Sequence, residues 1–590
     1  MHPSPPQPSR ASRRPPSSRL LVGLLAGLLV LGVAPPTPAG VPPATEVLRD
    51  RIPPLQEQLA AARQRLLDAP LDAAEDQLGL ARGALDTASM LEALGRPVLR
   101  SQPWRVEARR HLDLAYAMAQ PSPVAETRGL YLDADAIPRT RAGIQRLVAR
   151  LADAGFNMLL PEAFRRGYAL FRTPRAPLDP SFEQAPDALE WLTDEAHARG
   201  LEVHPWIWTF RVQSPGFGNP VLSPLPGLAA RQDGGLNARF LSPADPAARA
   251  WVFGLVDDLT SRIDLDGLML DYVRYDEETP SDWTSWTRWS LDWLARHGKL
   301  PPARPEAGSP EWIDYQLWRE AQVHRTVAGI RARLQRRDPG LRLGVSTFRG
   351  ERYGRLNKLQ HWRHWADQGW IDYDASMLYT ARTSDLETWL DWETDEGRRP
   401  GLLFPILGPL RMTEPVQQTL EQIAFVRSRH QLGMLFFSLS HLDDDLLEAL
   451  RLGPFRRRAY PVHRHPVRAS RRLLGDLASG YLRGLQLRAP ALQAATAAGL
   501  RRDVESLARS LPLAETPYLL TDALLARLET LDGAARDPDL PAPVSEELRT
   551  RLADVRSLWR AHAHATTRTR PAATTQPPVP PAVRETERRD

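Results

Sequence analysis

Acidic side chains stand at the ends of three short apolar runs, where a folded chain could present a carboxyl group for proton transfer. Asp271 ends the apolar part of DGLMLD, Glu162 follows FNMLLP, and Asp133 and Asp135 follow RGLYL. Burial or a nearby second acid raises the pKa of a carboxyl group, so that it can donate a proton near neutral pH. Paired carboxyl groups of this kind suit hydrolysis by general acid/base catalysis. We select Asp271, Glu162 and Asp135 as candidate catalytic residues.

Two of these acids also have a structural interpretation. Asp271 could form a salt bridge with Arg274, three residues further along the chain. Glu162 could form a loop salt bridge with Arg165 or Arg166. The sequence alone leaves both interpretations open beside the catalytic one.

The elements that would carry these acids alternate between short β-rich runs and longer amphipathic helical stretches. Eight such runs between residues 128 and 442 predict an α/β fold, a (β/α)8 TIM barrel flanked by helical regions. A doubly wound open sheet is the alternative, but no glycine-rich phosphate loop follows the first run. The runs span residues 128–135, 156–164, 201–210, 266–275, 341–348, 372–380, 401–410 and 433–442.

Chemistry in a TIM barrel takes place at the C-terminal ends of the strands. Asp271 lies at that end of the fourth run, whereas Asp266 opens the run and is expected to serve as a helix or turn partner at the opposite rim. Strand alternation predicts that Gly267, Met269 and Asp271 share the face toward the barrel axis. The carboxyl group of Asp271 would then point into the barrel mouth.

The chain outside the barrel divides by composition. Residues 20–34 are apolar and would span about 22 Å as a helix, short of the roughly 30 Å of a bilayer core. We therefore expect a cleaved export signal rather than a permanent anchor, and a periplasmic or extracellular protein. The predicted regions are a signal peptide (1–39), a helical N-terminal region (40–125), the barrel (126–455), a helical C-terminal region (456–565) and a disordered Pro/Thr-rich tail (566–590).

Composition argues against several classes of partner and cofactor. The 590 residues include no cysteine, which excludes disulfides, a lipoprotein thioether and cysteine-ligated metals. The net charge is +5, and nearly all the basic residues are arginine. A GC-rich genome would produce this preference for arginine over lysine, and no nucleic-acid-binding motif accompanies it. The histidine pairs HWRH and HRH lack a carboxylate at ligand spacing. We expect no metal and no cofactor.

Six segments occur in an order and spacing that resemble a known family. They are FNMLLPEAFRRGYALF, PDALEWLTDEAHARGLEVHPWIW, LSPADPAARAWV, DLDGLMLDYVRY, RLGVSTFRG and GWIDYDASMLYT. Together they resemble the glycosyl hydrolase-like family 10, over roughly residues 126–445. The resemblance implies a TIM-barrel glycosidase. A bacterial relative in that family cleaves peptidoglycan glycan strands stripped of their peptides.

The resemblance also implies roles for single residues. The aspartate of the family's DG-three-residue-DY motif falls on Asp271, its histidine on His204 and its strand-six tyrosine on Tyr379. Stacking of aromatic rings on the apolar faces of sugars adds further candidates, although packing inside the barrel would explain alternate members of the set equally well. The candidate substrate-binding residues are His204, Trp206, Trp208, Tyr272, Arg274 and Tyr379.

Four positions depart from related sequence patterns. Asp276 stands where the family commonly has proline, and Met377 and Thr380 replace a glutamine and a tryptophan that often flank the strand-six tyrosine. Val273 stands where family 18 chitinases, whose signature the same strand resembles, carry a proton-donating glutamate. The chitinase mechanism is therefore not expected here.

These observations predict a secreted or periplasmic glycoside hydrolase that cleaves a cell-wall or other amino-sugar polysaccharide. The alternatives are a catalytically inactive glycan-binding barrel and an envelope scaffold protein. Peptidoglycan glycan strands are the suggested partner, and nucleic acid is not. Residues 456–472 contain seven arginines and no acid, so they are predicted to form a surface connector. This connector would either make weak contact with anionic envelope polymers or serve as a solvated linker.

Overall fold

The computed structural model describes residues 44–94, 98–213, 228–230, 235–276, 282–303, 305–394, 402–513 and 522–563. The predicted signal peptide and the Pro/Thr-rich tail lie outside these residues. No helix within the described ranges is long and apolar enough to cross a membrane.

The N-terminal region is helical, as predicted, and has four helices in its described part. They are α1 (Ala44–Arg49), α2 (Ile52–Gln64), α3 (Leu71–Ala93) and α4 (Val98–Met118). Residues at three and four spacing, among them Leu55, Leu59 and Ala62, are buried along one face of α2. This periodic apolar face packs with α3 and α4 into a core of its own.

Eight parallel strands form a closed barrel, which confirms the predicted fold. Each predicted run contains one strand, and the first strand pairs with both the second and the eighth, so the ring is complete. The strands are β1 (Thr127–Leu132), β2 (Met158–Arg165), β3 (Glu202–Val203 and Trp206–Trp208), β4 (Gly267–Asp271), β5 (Arg342–Phe348), β6 (Tyr373–Met377), β7 (Leu402–Leu403 and Ile406–Leu407) and β8 (Gly433–Phe436).

Prolines account for the two interrupted strands. Pro205 divides β3, and Pro405 divides β7. Proline has no backbone N–H to donate to a neighbouring strand, so the regular ladder breaks there. The barrel remains closed because both strands resume pairing directly after the proline, at Trp206 and Ile406.

Helices cover the outside of the barrel. They are α5 (Arg141–Asp153), α6 (Ala188–Ala198), α7 (Pro246–Arg262), α8 (Trp283–His297), α9 (Pro310–Arg337), α10 (Glu351–Lys358), α11 (Trp362–Asp367), α12 (Thr383–Thr394), α13 (Pro415–Ser428) and α14 (Asp444–Leu452). Five of them, α5, α7, α8, α9 and α14, begin with a side-chain cap. In α7, for example, Asp245 accepts a hydrogen bond from the Ala247 N–H, and Pro246 occupies the first turn.

The C-terminal region is helical and packs against the barrel. It contains α15 (Pro466–Gly475), a π-helical stretch (Asp476–Leu482), α16 (Arg483–Arg488), α17 (Ala491–Arg509), α18 (Asp522–Ala534) and α19 (Ala542–Ala563). Its buried leucines join the same hydrophobic core as the barrel strands. The C-terminal region is therefore an integral support of the barrel.

The arginine-rich segment 456–472 is not the unpaired surface connector that the sequence predicted. Arg457 pairs with Asp476, Arg464 pairs with Asp266, and Arg458 donates to the backbone carbonyl of Arg199. The counter-charges and acceptors lie far away in sequence, so the local absence of acids was misleading. The segment fastens the barrel base to the flanking helices.

Candidate active site

Asp271 lies at the C-terminal end of β4, where the sequence placed it. Its register partner on β3 is Trp208, and its side chain is half-buried. The Oδ1 atom accepts a 2.7 Å hydrogen bond from the N–H of Tyr272, a residue with a positive φ of 50°. Burial raises the pKa of Asp271 to about 6, although this hydrogen bond and the charges of Arg274 and Arg211 act in the opposite direction.

The position of Arg274 argues against a salt bridge between Arg274 and Asp271. The Arg274 guanidinium lies 5.0 Å from the ring centre of Tyr272 and 4.7 Å from that of Phe348. Its charge lowers the pKa of Asp271, but burial has the larger effect and the net shift is upward. Asp271 therefore has the environment of a proton donor and not that of a fully compensated ion-pair partner.

Glu162 is the second buried carboxyl group at this end of the barrel. It is 3% exposed, lies level with Trp206 of β3, and accepts a 3.1 Å hydrogen bond from the Ala134 N–H. Burial raises its pKa to about 7; Arg165, 3.5 Å away, lowers the pKa, and the negative charge of Asp133 raises it. The like charge that acts on Glu162 is thus that of Asp133.

Arg165 does not neutralise Glu162 because other acids hold it more closely. Its guanidinium binds both carboxylate oxygens of Asp135, at 2.7 and 3.1 Å, and Asp179 at 3.1 Å. The predicted Glu162–Arg165 contact exists, but it is the longest of the three. Glu162 consequently keeps a raised pKa beside an arginine.

Asp135, the third catalytic candidate, shares Arg165 with Glu162 but is not buried. Its side chain is 65% exposed, and the hydrogen bond from Arg165 holds its pKa below the ordinary value. Asp133 takes the inward position instead, since it continues the alternation of Gly129 and Tyr131. Its Oδ2 accepts hydrogen bonds from the hydroxyls of Ser438 and Ser440.

Aromatic side chains line the mouth around these acids. The ring of Trp208 packs 5.1 Å from that of Tyr272, and Tyr379 stacks on Phe437 at 5.5 Å. Burial raises the pKa of Tyr379, and the nearby charges of Asp271 and Asp133 raise it further, which places this tyrosine near the acids of the mouth. Four predicted substrate-binding residues, Trp208, Tyr272, Arg274 and Tyr379, thus lie together.

Two indole N–H groups in this region have no hydrogen-bond partner among the described residues. They belong to Trp206 and Trp208, which are 3% and 7% exposed. The ring of Trp206 packs edge-on against Tyr131 and Phe437, 5.7 and 6.2 Å away. A buried unpaired donor costs free energy, and both N–H groups are closed to solvent, so a ligand hydroxyl could reach them only after neighbouring side chains move.

His204 lies in the lower half of the barrel, away from the mouth. It precedes Trp208 by four residues on β3, a rise of about 13 Å at 3.3 Å per residue. Its Nδ1 lies 2.8 Å from the Tyr373 hydroxyl, and a Cβ added to Gly267 would lie only 2.6 Å from its ring. The structure does not bring His204 together with the candidate catalytic acids.

Sequence reasoning considered Asp133 but selected Asp135, and it passed over Tyr131. The signal that could have found them is the alternation already applied to β4, because Tyr131 lies on β1 and Asp133, of the same parity, directly follows it. Asp135 also has this parity but lies in the 3₁₀ turn beyond the strand. Tyr131 donates or accepts a 2.8 Å hydrogen bond with Ser346 across the barrel. Burial raises its pKa, and Asp271 adds to this effect.

Comparison with known proteins agrees with the predicted resemblance. Residues 128–400 match the family model described as Glycosyl hydrolase-like 10. Glycosyl hydrolase DigH of Escherichia coli K12 is 26% identical over 218 residues, which cover 33% of this chain and 46% of DigH. The chain thus spans about half the length of the curated relatives it matches.

Among solved structures, the PgaB (BpsB) glycoside hydrolase domain from Bordetella bronchiseptica is similar with a TM-score of 0.41. It is 16% identical, and the match covers 55% of this chain and 98% of that domain. The catalytic domain of a β-amylase from Paenibacillus polymyxa has a TM-score of 0.39 at 11% identity, with 55% and 95% covered.

Proposed function

We propose that this barrel, whose residues 128–400 match a glycosyl hydrolase-like family, cleaves O-glycosidic bonds in an amino-sugar polysaccharide of the cell wall. The observation that carries the proposal is a pair of inward carboxyl groups with burial-raised pKa values, about 6 for Asp271 and about 7 for Glu162. They stand on strands two apart in the ring, at the end where TIM barrels carry out chemistry. Raised carboxyl pKa values at such a rim are typical of acid/base sites.

Asp271 is assigned as the proton donor, because it is the more accessible of the two. Its protonated carboxyl group transfers a proton to the glycosidic oxygen as the bond from that oxygen to the anomeric carbon breaks. Glu162 assists the water that attacks the anomeric carbon, or stabilises the positive charge that develops there. The proton that water loses restores the catalytic acid, so the enzyme ends the cycle unchanged.

The aromatic residues of the mouth would hold the sugar rings. Trp208 and Tyr272 offer flat apolar faces, and the guanidinium of Arg211 lies 4.7 Å from the ring centre of Tyr272. The indole N–H of Trp208 would donate to a sugar hydroxyl. An amide-bearing sugar can use both an apolar face and such donors, which supports an amino-sugar polymer as the substrate class.

Export of the chain remains a proposal that fits a cell-wall substrate. The apolar stretch 20–34, followed by small residues near Ala39, is typical of a cleavable signal. Expression of the full gene in a bacterial host, followed by N-terminal sequencing of the periplasmic protein, tests it. A chain that stays in the cytoplasm with its first residue intact would contradict it.

The direct test of activity incubates purified protein with peptide-free peptidoglycan glycan strands and, separately, with chitin oligomers. Products are identified by mass spectrometry and counted as new reducing ends. We expect cleavage by the wild type, loss of cleavage in Asp271→Asn, and wild-type cleavage in Asp264→Asn, which removes an exposed acid from the opposite rim. Binding of glycan by the wild type without cleavage of any polymer would instead identify an inactive glycan-binding barrel.

A further inference from the structure

A second cluster of ionisable groups lies at the base of the barrel, opposite the mouth. It consists of Glu202, His204 and His463, which we call the base cluster. All three side chains are buried, and one ligand atom from each lies within 4.8 Å of the other two. Glu202 lies on β3 and His204 in the interruption of that strand, while His463 comes from the arginine-rich segment that follows the barrel.

The three facing atoms are close but are not aligned as hydrogen bonds. Glu202 Oε2 lies 2.8 Å from His463 Nε2 and 3.4 Å from His204 Nε2, yet each of these atoms lacks a hydrogen-bond partner among the described residues. A hydrogen bond requires the N–H to point at its acceptor. Ligands of a metal ion point at a common centre instead, and tetrahedral ligands 2.0–2.1 Å from zinc lie about 3.3 Å apart.

The remaining nitrogen of each imidazole is held by a hydroxyl group. His204 Nδ1 lies 2.8 Å from the Tyr373 hydroxyl, and His463 Nδ1 lies 3.1 Å from Thr127 Oγ1. A hydroxyl that accepts from Nδ1–H leaves Nε2 with a free lone pair. Outer partners of this kind orient histidine ligands in metal sites.

We propose that the base cluster binds one divalent transition-metal ion, with two imidazole nitrogens and one carboxylate oxygen as ligands. Zn²⁺ suits this donor set, which combines nitrogen and oxygen ligands. The ion has a structural role, because the base cluster is buried and lies at the opposite end of the strands from Asp271. Because the ion contacts both Glu202 of β3 and His463, it holds the arginine-rich segment against the base of the barrel.

This site escaped the sequence analysis because its carboxylate is distant along the chain. The HRH pair, His463 and His465, has no acid at ligand spacing, but folding brings Glu202 to His463 across more than half of the barrel sequence. His465 is not part of the base cluster. The expectation of no metal rested on spacing alone.

A second group of similar composition serves as the control. Glu320, His324 and His361 also lie within ligand distance of one another. There, however, Glu320 accepts a hydrogen bond from Arg355 at 3.1 Å, and its other oxygen lies 2.9 Å from His361 Nδ1. A hydrogen-bonded arginine thus already supplies a cation to Glu320. In the base cluster Arg464 lies 3.7 Å from Glu202 Oε1, and Oε2 has no hydrogen-bond partner within the described part of the chain, so the second group is the weaker metal site of the two.

The experiment uses the full chain, stripped with a chelator, loaded with Zn²⁺ or Co²⁺ and freed of excess metal. Metal content is measured by plasma mass spectrometry, and Co²⁺ geometry by visible absorption. We expect one retained equivalent, the intense visible band of tetrahedral Co²⁺, and a melting temperature raised by roughly 3 °C or more by Zn²⁺. Three variants are compared with the wild type: His463→Gln, Glu202→Gln and His361→Gln.

His463→Gln and Glu202→Gln should lose the retained equivalent and the stabilisation by Zn²⁺, whereas His361→Gln should keep both. Retention in His463→Gln with loss in His361→Gln would move the site to the other cluster and overturn the proposal. Wild-type protein that retains no metal would also overturn it and identify the base cluster as a buried ion pair. This wild-type measurement decides the matter even if a variant fails to fold.

Discussion

Replacement of Asp271 by asparagine removes the proposed proton without a large change in shape. Burial raises the pKa of Asp271 from 3.8 to about 6, so at pH 7 it keeps its proton in about one molecule in ten. An aspartate with the ordinary pKa would do so in about one in 1,600, which makes the structural gain about 150-fold. Since asparagine has no acidic proton, we expect kcat/KM to fall by roughly 10² to 10⁴ at pH 5.5.

The pH dependence then identifies the role of Asp271. Asp271 and Glu162 titrate near each other, so the wild-type profile belongs to the pair and does not assign either group. The Glu162→Gln variant keeps Asp271 as the proposed acid. Its residual activity should fall about tenfold per pH unit above about pH 6, because Asp271 then loses the proton that it must donate. The opposite trend, with activity rising through pH 6, would make Asp271 a base.

The assay is release of reducing ends from the best polymer found, between pH 4.5 and 8.5, with circular dichroism of each variant at every pH. Asp264→Asn, at the exposed opposite rim, is the matched control. If folded Asp271→Asn retains activity within about threefold of the wild type, Asp271 takes no part in proton transfer and the reasoning is refuted.

Three further predictions follow from other contacts of the barrel. Asp135→Asn should keep kcat within about threefold of the wild-type value, because Asp135 is exposed and paired with Arg165. Steady-state kinetics check this, and a hundredfold loss of kcat would make Asp135 a catalytic candidate again. Trp208→Phe should raise KM up to about tenfold with little change in kcat, since it removes one indole donor and keeps a ring; an unchanged KM would show that this N–H does not contact substrate. Burial raises the pKa of Glu393 to about 7. The contribution of Glu393 to the free energy of unfolding is therefore highest below about pH 4.5, where Glu393 is protonated in both the folded and the unfolded state, and it falls by up to about 3 kcal/mol as the pH rises to 7. Glu393→Gln should remove this loss, and chemical denaturation at pH 5 and 8 measures it; equal pH dependence in both proteins would contradict the assignment.

The strands and the position of Asp271 could be predicted because both depend on local patterns. Each apolar run that became a strand has the length and β-branched or aromatic content of a buried strand, and alternation within β4 fixed the side on which Asp271 lies. The interruptions of β3 and β7 follow from single prolines that are visible in the sequence. Asp133 and Asp135 have the same parity, so alternation alone could not choose between them; Asp133 directly follows β1, whereas Asp135 lies in a 3₁₀ turn that the sequence analysis did not predict.

Other features depended on contacts between residues far apart in the chain. Arg165 could have paired with several nearby acids, and only the folded loops show that Asp135 and Asp179 hold it more closely than Glu162. His204 has the same inward parity as Trp208, so alternation could not assign it to the base. Its partner His463 enters from beyond the last strand, a contact that no spacing rule predicts.

The two acids of β4 explain why one end of the barrel is suited to chemistry and the other to stability. Both are substantially buried, and burial acts to raise both pKa values. At the base, His197, the Val203 N–H and Arg464 bring the pKa of Asp266 below its ordinary value, so it stays ionised and paired. At the mouth, one backbone hydrogen bond and nearby arginines offset burial only in part, so Asp271 can still hold a proton. The supply of counter-charge, and not burial alone, therefore separates a structural aspartate from a candidate catalytic one on the same strand.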